Sequence, residues 1–285
     1  MANRQIIAGL DVGTAWVRLV VCELKAGDNA PQVLALVKKP ARGLRRGYVI
    51  NTEEAVETIR EIIADAERSL KLRVRKVWLG LGGVSLDSRV AEGSIIAARP
   101  DAEISSADVN RAIEASEANL PEMMNRHILH RIRLSFKVDG EKVLGHPEGL
   151  RGSKLEARAL FITCLSQHLK DLVKAVEDAG LIVEDVIASP LAASLVVMSK
   201  LQKMAGSVLV NIGSQTTSIA VFEESVPVSI QVFSIGSMDI TNDIALGFRI
   251  PIEEAEKIKN SEFEPTPGWQ CQYCDFKDIC DYAQK

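Results

Sequence analysis

Hydrophobic positions at the start of the chain fall first into short β-branched runs and then into a helical rhythm. Residues 6–10 read as a buried strand, Asp11-Val12-Gly13-Thr14 turns the chain over, and 16–24 and 32–37 return as strands. The opening is therefore a β-meander. Ala55, Val56, Ile59, Ile62, Ile63, Ala66 and Leu70 then recur at helical spacing, with Asn51 or Thr52 as N-cap. A strand over 74–82 ends in Gly80-Leu81-Gly82-Gly83.

From about residue 84 to 161 the strands become more polar. A helix is expected from Ser105, where Asp108 completes an acidic capping box, with strands over 127–138 and 156–161. Pro100, Pro121 and Pro147 punctuate the stretch. It reads as a small α+β insertion whose ends lie close together, placed independently of its host. Strand and helix then alternate again. A helix over 166–179 turns Leu169, Leu172, Val173 and Val176 inward and stops at Gly180; a strand covers 182–188, and Pro190 opens the next helix. Residues 207–212, a Gly-Ser-Gln-Thr-Thr turn and 218–222 repeat the strand–glycine turn–strand opening of the chain. Past Lys259 neither period survives.

Composition narrows the class. The 285 residues are 47% hydrophobic, 25% charged and 5% aromatic, which excludes a disordered or collagen-like chain. The length points to two domains, or to one large domain with an insertion. A net charge of −4 gives no electrostatic reason to expect a nucleic-acid or anionic-membrane binder, so no nucleic-acid partner is expected. No apolar run approaches the roughly 20 residues that span a bilayer, and the N-terminus enters a strand-like run at once. The expected compartment is the cytoplasm.

Two turns carry candidate chemistry. Asp11, Gly13 and Thr14 place a carboxylate, a glycine and a hydroxyl at a strand end, a set that can hold a hydrated divalent cation and admit phosphate to backbone N–H groups. Asn211, Gly213, Thr216 and Thr217 offer a second close approach. Either turn alone is an ordinary hairpin. Together they favour a phosphate clamp between two halves. Arg42, Arg45, Arg46 and residues 68–76 read as solvated basic faces. His127, His130 and His146 read as structural, Ala192-Ala193-Ser194 as a small-residue face beneath the cleft, and no catalytic constellation emerges.

This pair of turns resembles the actin/Hsp70/hexokinase ATPase superfamily. Further runs follow in order: Gly43-Leu44-Arg45-Arg46-Gly47, Ile128-Leu129-His130, Val138-Asp139-Gly140, Lys154-Leu155-Glu156-Ala157-Arg158, Ser189-Pro190-Leu191-Ala192, Thr241-Asn242-Asp243-Ile244-Ala245 and Pro251-Ile252-Glu253-Glu254-Ala255-Glu256. Over roughly residues 5–260 the set is similar to the FtsA family of actin-like cell-division proteins. The resemblance implies an actin-like (ribonuclease H-like) α/β fold with an inserted strand-helix-strand-strand subdomain. Residues 1–83 and 163–203 would be subdomain IA, 84–162 the inserted subdomain IC, 204–260 part of IIA, and 261–285 a cysteine-rich tail. It also implies ATP with Mg, FtsZ and further copies of the chain as partners, and peripheral placement at the inner face of the membrane.

The sequence departs from the family pattern at Asn211, where Asp is usual, and at Ser189, where Glu precedes the proline. The match ends near Lys259, so a truncated second half is expected, without the Gly-Gly adenosine motif, most of the FtsZ-docking subdomain or the amphipathic membrane helix. Mg-ATP binding is accordingly expected to be weak or absent, with at most weak ATPase activity. A pilus-assembly scaffold of the PilM kind is the alternative within the same fold.

The tail supports a reading of another class. Cys271, Cys274 and Cys280 form a C-x2-C-x5-C run resembling the iron–sulfur motif of RecB-like nucleases. Cys22 and Cys164 fall in expected core strands, leaving the set one ligand short, and no nuclease core is present. A 4Fe–4S cluster or Zn is not expected; the tail reads as a fragment of another gene or a fusion.

Overall fold

A computed structural model describes residues 4–27, 30–97, 103–121 and 123–260. The chain divides into two units, residues 1–236 and 237–285. In the first, β1 (Arg4–Val12), β2 (Trp16–Lys25) and β3 (Gln32–Pro40) form the expected meander. The short pair β4 (Leu44–Arg45) and β5 (Tyr48–Val49) leads into α1 (Thr52–Leu70), whose N-cap Asn51 side chain accepts the Glu54 N–H at 3.3 Å. Next comes β6 (Lys76–Leu81), then β7 (Asp87–Ile96) and α2 (Ser106–Ala118), opened by the capping box of Ser105 and Asp108. β8 (Arg126–Val138), β9 (Glu141–Val143) and β10 (Lys154–Leu165) run into α3 (Ser166–Asp178) and β11 (Ile182–Ala188). α4 (Ser189–Val197), α5 (Lys200–Ala205), β12 (Ser207–Ile212), β13 (Thr217–Glu223) and β14 (Val226–Phe233) complete the unit.

Two sheets organise these elements. The first has the order β11-β6-β1-β2-β3, with β1 antiparallel to β2 and parallel to β6. Val17, Leu19 and Val21 alternate inward along β2 and share a core with Ile59, Ile62 and Ala66 of α1 and Leu172, Ala175 and Val176 of α3. The second has the order β12-β13-β14-β7-β10-β8-β9. Its two parts meet where Asp87 pairs with Gln231 and the Ser88 hydroxyl donates to Ile230 O at 2.8 Å while accepting Ile230 N–H at 2.7 Å. α2 covers a second core built on Val109, Ala112, Phe136, Leu155 and Phe161. It comes so close at Gly93 that a Cβ there would lie 2.1 Å from Ser116 N.

The insertion is less separate from its host than the sequence suggests. Leu86, Leu160 and Ile162 belong to the first core, and Leu129, Ile132 and Leu134 of β8 pack against it. Neighbouring residues of β10 thus serve different cores. The Arg126 guanidinium also donates to Ser85 O at 2.8 Å and to Thr163 Oγ1 at 3.0 Å, joining β8 to both ends of the inserted stretch.

In the second unit, α6 (Ser237–Phe248) and α7 (Ile252–Lys259) pair through polar groups. Thr241 donates to Glu256 Oε2 at 2.6 Å, and Lys259 Nζ donates to Thr241 Oγ1 at 2.9 Å. No helix among the described residues is long and apolar enough to cross a membrane.

Candidate functional site

The two glycine turns adopt the same geometry. Gly13 N–H donates to Trp16 O at 3.0 Å, and Gly213 N–H donates to Thr216 O at 2.8 Å. A Cβ on either glycine would lie 3.0 Å from the accepting carbonyl oxygen. Both turns line one cleft of about 180 Å³, together with Gly47, Gly82, Gly83, Ser189 and Pro190. That is smaller than the roughly 300–1,000 Å³ of whole-ligand pockets, so the cleft is sized for one end of a ligand.

Antiparallel register decides which side chains enter. In the first hairpin Asp11 stands opposite Arg18; in the second Asn211 stands opposite Ser218. All four line the cleft. The pairs one step nearer the turns are Val12–Val17 and Ile212–Thr217. Alternation therefore takes Thr217 to the other face, where its hydroxyl donates to Ile235 O at 2.8 Å. Six of the seven sequence candidates, Asp11, Gly13, Thr14, Asn211, Gly213 and Thr216, thus reach the cleft. Ser218 lines it where Thr217 does not.

Asp11 is already engaged. Arg18 Nη1 lies 3.3 Å from Asp11 Oδ2, and Ser189 Oγ donates to Asp11 Oδ1 at 3.5 Å. Withdrawal from water pushes the Asp11 carboxyl above its ordinary value, against the opposing pull of Arg18 and Ser189. Thr14 Oγ1 accepts Gly47 N–H at 3.0 Å, and Gln215 Oε1 accepts Arg46 N–H at 2.9 Å, so the β4–β5 turn is tied to both hairpins. Gly47 and Gly83 cross backbone to backbone beneath it: both φ angles are positive, and a Cβ on Gly47 would lie 2.5 Å from Gly83 Cα.

A histidine the sequence reading passes over holds this crossing. His168 of α3 is buried, its Nδ1 2.5 Å from Ser85 Oγ, its Nε2 2.9 Å from Gly47 O and its ring centroid 4.6 Å from that of Tyr48, the two planes tilted by 39°. Burial keeps it below the ordinary imidazole value. A signal existed, since His168 precedes Leu172 by one helical turn and shares its inward face. His130 is structural, as expected: its Nε2 accepts Ala188 N–H at 3.0 Å. Arg42 is bound to α1 through Glu57, Glu61 and Thr58. Ala192 and Ala193 line an apolar cavity of about 460 Å³ that shares Asp11, Arg18, Ser189 and Asn211 with the cleft.

The donor set fits a phosphate group. Backbone turns, hydroxyls and a guanidinium suit an anion. Mg²⁺ takes carboxylate oxygens alongside phosphate. Asp11 is the one carboxylate lining this cleft, and Arg18 holds it, while the matching position of the second hairpin is the neutral Asn211. One carboxylate with phosphate oxygens and water is a set that Mg²⁺ accepts, so Asp11 is the residue that would hold it beside a bound phosphate. Cys271, Cys274 and Cys280 lie outside the described residues, among which no group of three or more His, Cys, Asp or Glu is placed to hold a metal.

Comparison with known proteins places this geometry. A family profile described as the SHS2 domain inserted in FtsA matches residues 83–163, and one described as cell division protein FtsA matches residues 208–267. The cell division protein FtsA of Pseudomonas aeruginosa is 33% identical over 255 residues, covering 90% of this chain and 60% of that protein. The Bacillus subtilis protein of the same name is 32% identical over 260 residues, covering 91% and 58%. The chain thus spans about three fifths of the length of these relatives. Among solved structures, a PilM–PilN type IV pilus biogenesis complex superposes with a TM-score of 0.65 at 17% identity, covering 90% of this chain and 69% of that one. The ethanolamine utilization protein EutJ of Carboxydothermus hydrogenoformans gives 0.51 at 20% identity, covering 90% and 61%. At such identities these two establish the actin-like fold alone. Taken with the ordered motifs and the paired hairpins, the sequence matches show that the chain is similar, over about nine tenths of its length, to the N-terminal portion of the FtsA cell-division proteins.

Proposed function

We propose that the chain acts as an actin-related scaffold of bacterial cell division, associating with copies of itself and linking FtsZ to the division site, and that its cleft takes the phosphate end of ATP. The nucleotide part rests on one observation: two equivalent glycine turns, far apart in sequence, face a single cleft. Similarity to the FtsA cell-division proteins supports the role in division. In this reading residues 1–83 with 163–203 form subdomain IA, 84–162 the inserted subdomain IC, and 204–260 part of IIA, followed by the tail. The location is the cytoplasm, at the inner face of the membrane through partners. Hydrolysis is slow at most. Asp11 is held by Arg18, and Asn211 cannot accept a proton as a base.

Co-sedimentation with purified FtsZ polymers tests the scaffold. Saturable binding is expected, and light scattering should report self-association that grows with concentration. A chain that stays in the supernatant at every FtsZ concentration overturns the FtsZ link. Steady release of inorganic phosphate from ATP at a rate typical of enzymes, about 1 per second or faster, overturns the weak-hydrolysis part.

A further inference from the structure

We propose that β12 is a self-association edge, pairing antiparallel with β12 of a second copy across a two-fold axis, so that the second sheet continues from one copy into the other. The proposal deepens the self-association part of the function proposed above and rests on it. β12 ends the second sheet, and no described strand pairs with its outer side. The other strands that end a sheet carry features that discourage edge pairing. β3 has Lys38, Lys39 and Pro40, β11 has Glu184 and Asp185, and β9 is three residues long with Glu141 and Lys142. β12, Ser207-Val208-Leu209-Val210-Asn211-Ile212, has no charge, no proline and a register against β13 free of bulges.

The strand is complementary to itself. Gly213 and Thr216 form the bonded pair that closes the hairpin, so alternation makes Asn211–Ser218 and Leu209–Ala220 the next bonded pairs. The N–H and C=O groups of Val208, Val210 and Ile212 therefore point to the free side. An antiparallel partner centred on Val210 sets Val210 against the partner copy's Val210, and Val208 against the partner copy's Ile212. About six N–H···O=C bonds then form, and every facing pair is β-branched, a kind that stabilises neighbouring strands. The Val208, Val210 and Ile212 residues are 59%, 51% and 65% exposed, so pairing withdraws apolar surface from water. Leu201 and Met204, exposed on the α5 helix that packs against β12 and β13, extend this apolar margin. A two-fold pairing closes on itself and gives a dimer.

Sedimentation equilibrium of the full chain, from about 1 µM to about 100 µM, tests the proposal. A monomer–dimer equilibrium is expected. Val210→Lys places like charges opposite each other at the axis and should weaken the dimer at least about tenfold, as should Val210→Glu. Mixing the two variants should restore a dimer, which a merely damaged fold cannot do. Amide exchange should slow on dimerisation at Val208, Val210 and Ile212, whereas Leu209 and Asn211, bonded to β13, stay slow at every concentration. A parent dimer that persists unchanged in both variants overturns the inference and leaves self-association to another surface. Two monomeric variants that fail to pair when mixed overturn it as well. A parent chain that stays monomeric throughout overturns the self-association reading itself and the inference with it.

Discussion

Gly47→Ala tests whether the cleft floor is rigid. Gly47 has φ +88°, and its absent Cβ would lie 2.5 Å from Gly83 Cα and 3.1 Å from Gly83 N, backbone atoms that no rotamer change can move. Gly140, in the β8–β9 turn, has the same φ of +88° with nothing within 4 Å. Alanine at Gly140 therefore meets only the left-handed backbone cost, about 1–2 kcal/mol. Alanine at Gly47 meets that cost and adds the strain of overfilling a packed contact, about 1–3 kcal/mol. The expected loss is about 2–5 kcal/mol, against a total stability of about 5–15 kcal/mol for a typical domain. Urea unfolding of both variants, followed by tryptophan fluorescence, measures the difference directly. Gly47 also donates its N–H to Thr14 Oγ1 and offers its carbonyl to His168, so displacement should weaken ATP binding in Gly47→Ala and leave it intact in Gly140→Ala. Equal losses from the two variants, within about 0.5 kcal/mol, would refute the reasoning. The crossing would then be compliant, and the cleft would not depend on it.

Joining Gly83 directly to Thr163 should leave a chain with no cooperative unfolding transition by circular dichroism, since it removes Leu86, Leu160 and Ile162 from the first core; a cooperative melt would show the insertion to be separable. Burial holds both His168 and His130 below the ordinary imidazole value, so each is neutral when folded where the unfolded chain takes up a proton. Stability should therefore fall as pH drops below about 6.5, and His168→Gln should flatten the urea midpoint between about pH 7 and about pH 5; an unchanged slope refutes the assignment. Desolvation pushes the Cys164 thiol up to about 11, so neutral iodoacetamide should modify it in urea and spare it in the folded chain, as read by peptide mass spectrometry; equal rates in both states would refute its burial.

Much of the fold was legible because local chemistry and tertiary packing agree. Asn51 ahead of a clean helical stripe, and Ser105 three residues before Asp108, each mark a helix start that the structure keeps. β10 was expected over 156–161 and runs Lys154–Leu165, because residues 159–164 are buried on both faces and the alternation that marks a half-exposed strand disappears. β14 went unread. Pro227 interrupts its pattern, and the structure places that proline at a register shift against Phe222, where a missing N–H is tolerated. The ties between insertion and host were also hidden, since nothing local says that Leu160 and Phe161 belong to different cores.

The site was legible in its turns and opaque in its partners, and the reason bears on how such a cleft changes ligand. A glycine turn that hydrogen-bonds across its own mouth needs only glycine and a small polar neighbour, so Asp11-Val12-Gly13-Thr14 and Asn211-Ile212-Gly213-Ser214 give the same backbone from different side chains. What the cleft can hold is decided one strand away. Counting outward from the Gly13–Trp16 bond puts Arg18 opposite Asp11, and the same count from Gly213 puts Ser218 opposite Asn211. Neither partner sits at a turn position, so either can change without altering the hairpin. An amide at Asn211 and a guanidinium facing Asp11 leave both hairpins paired and change only the charge the cleft presents. Turn motifs alone therefore locate such a site without specifying its ligand, and the cross-strand residues have to be read with them.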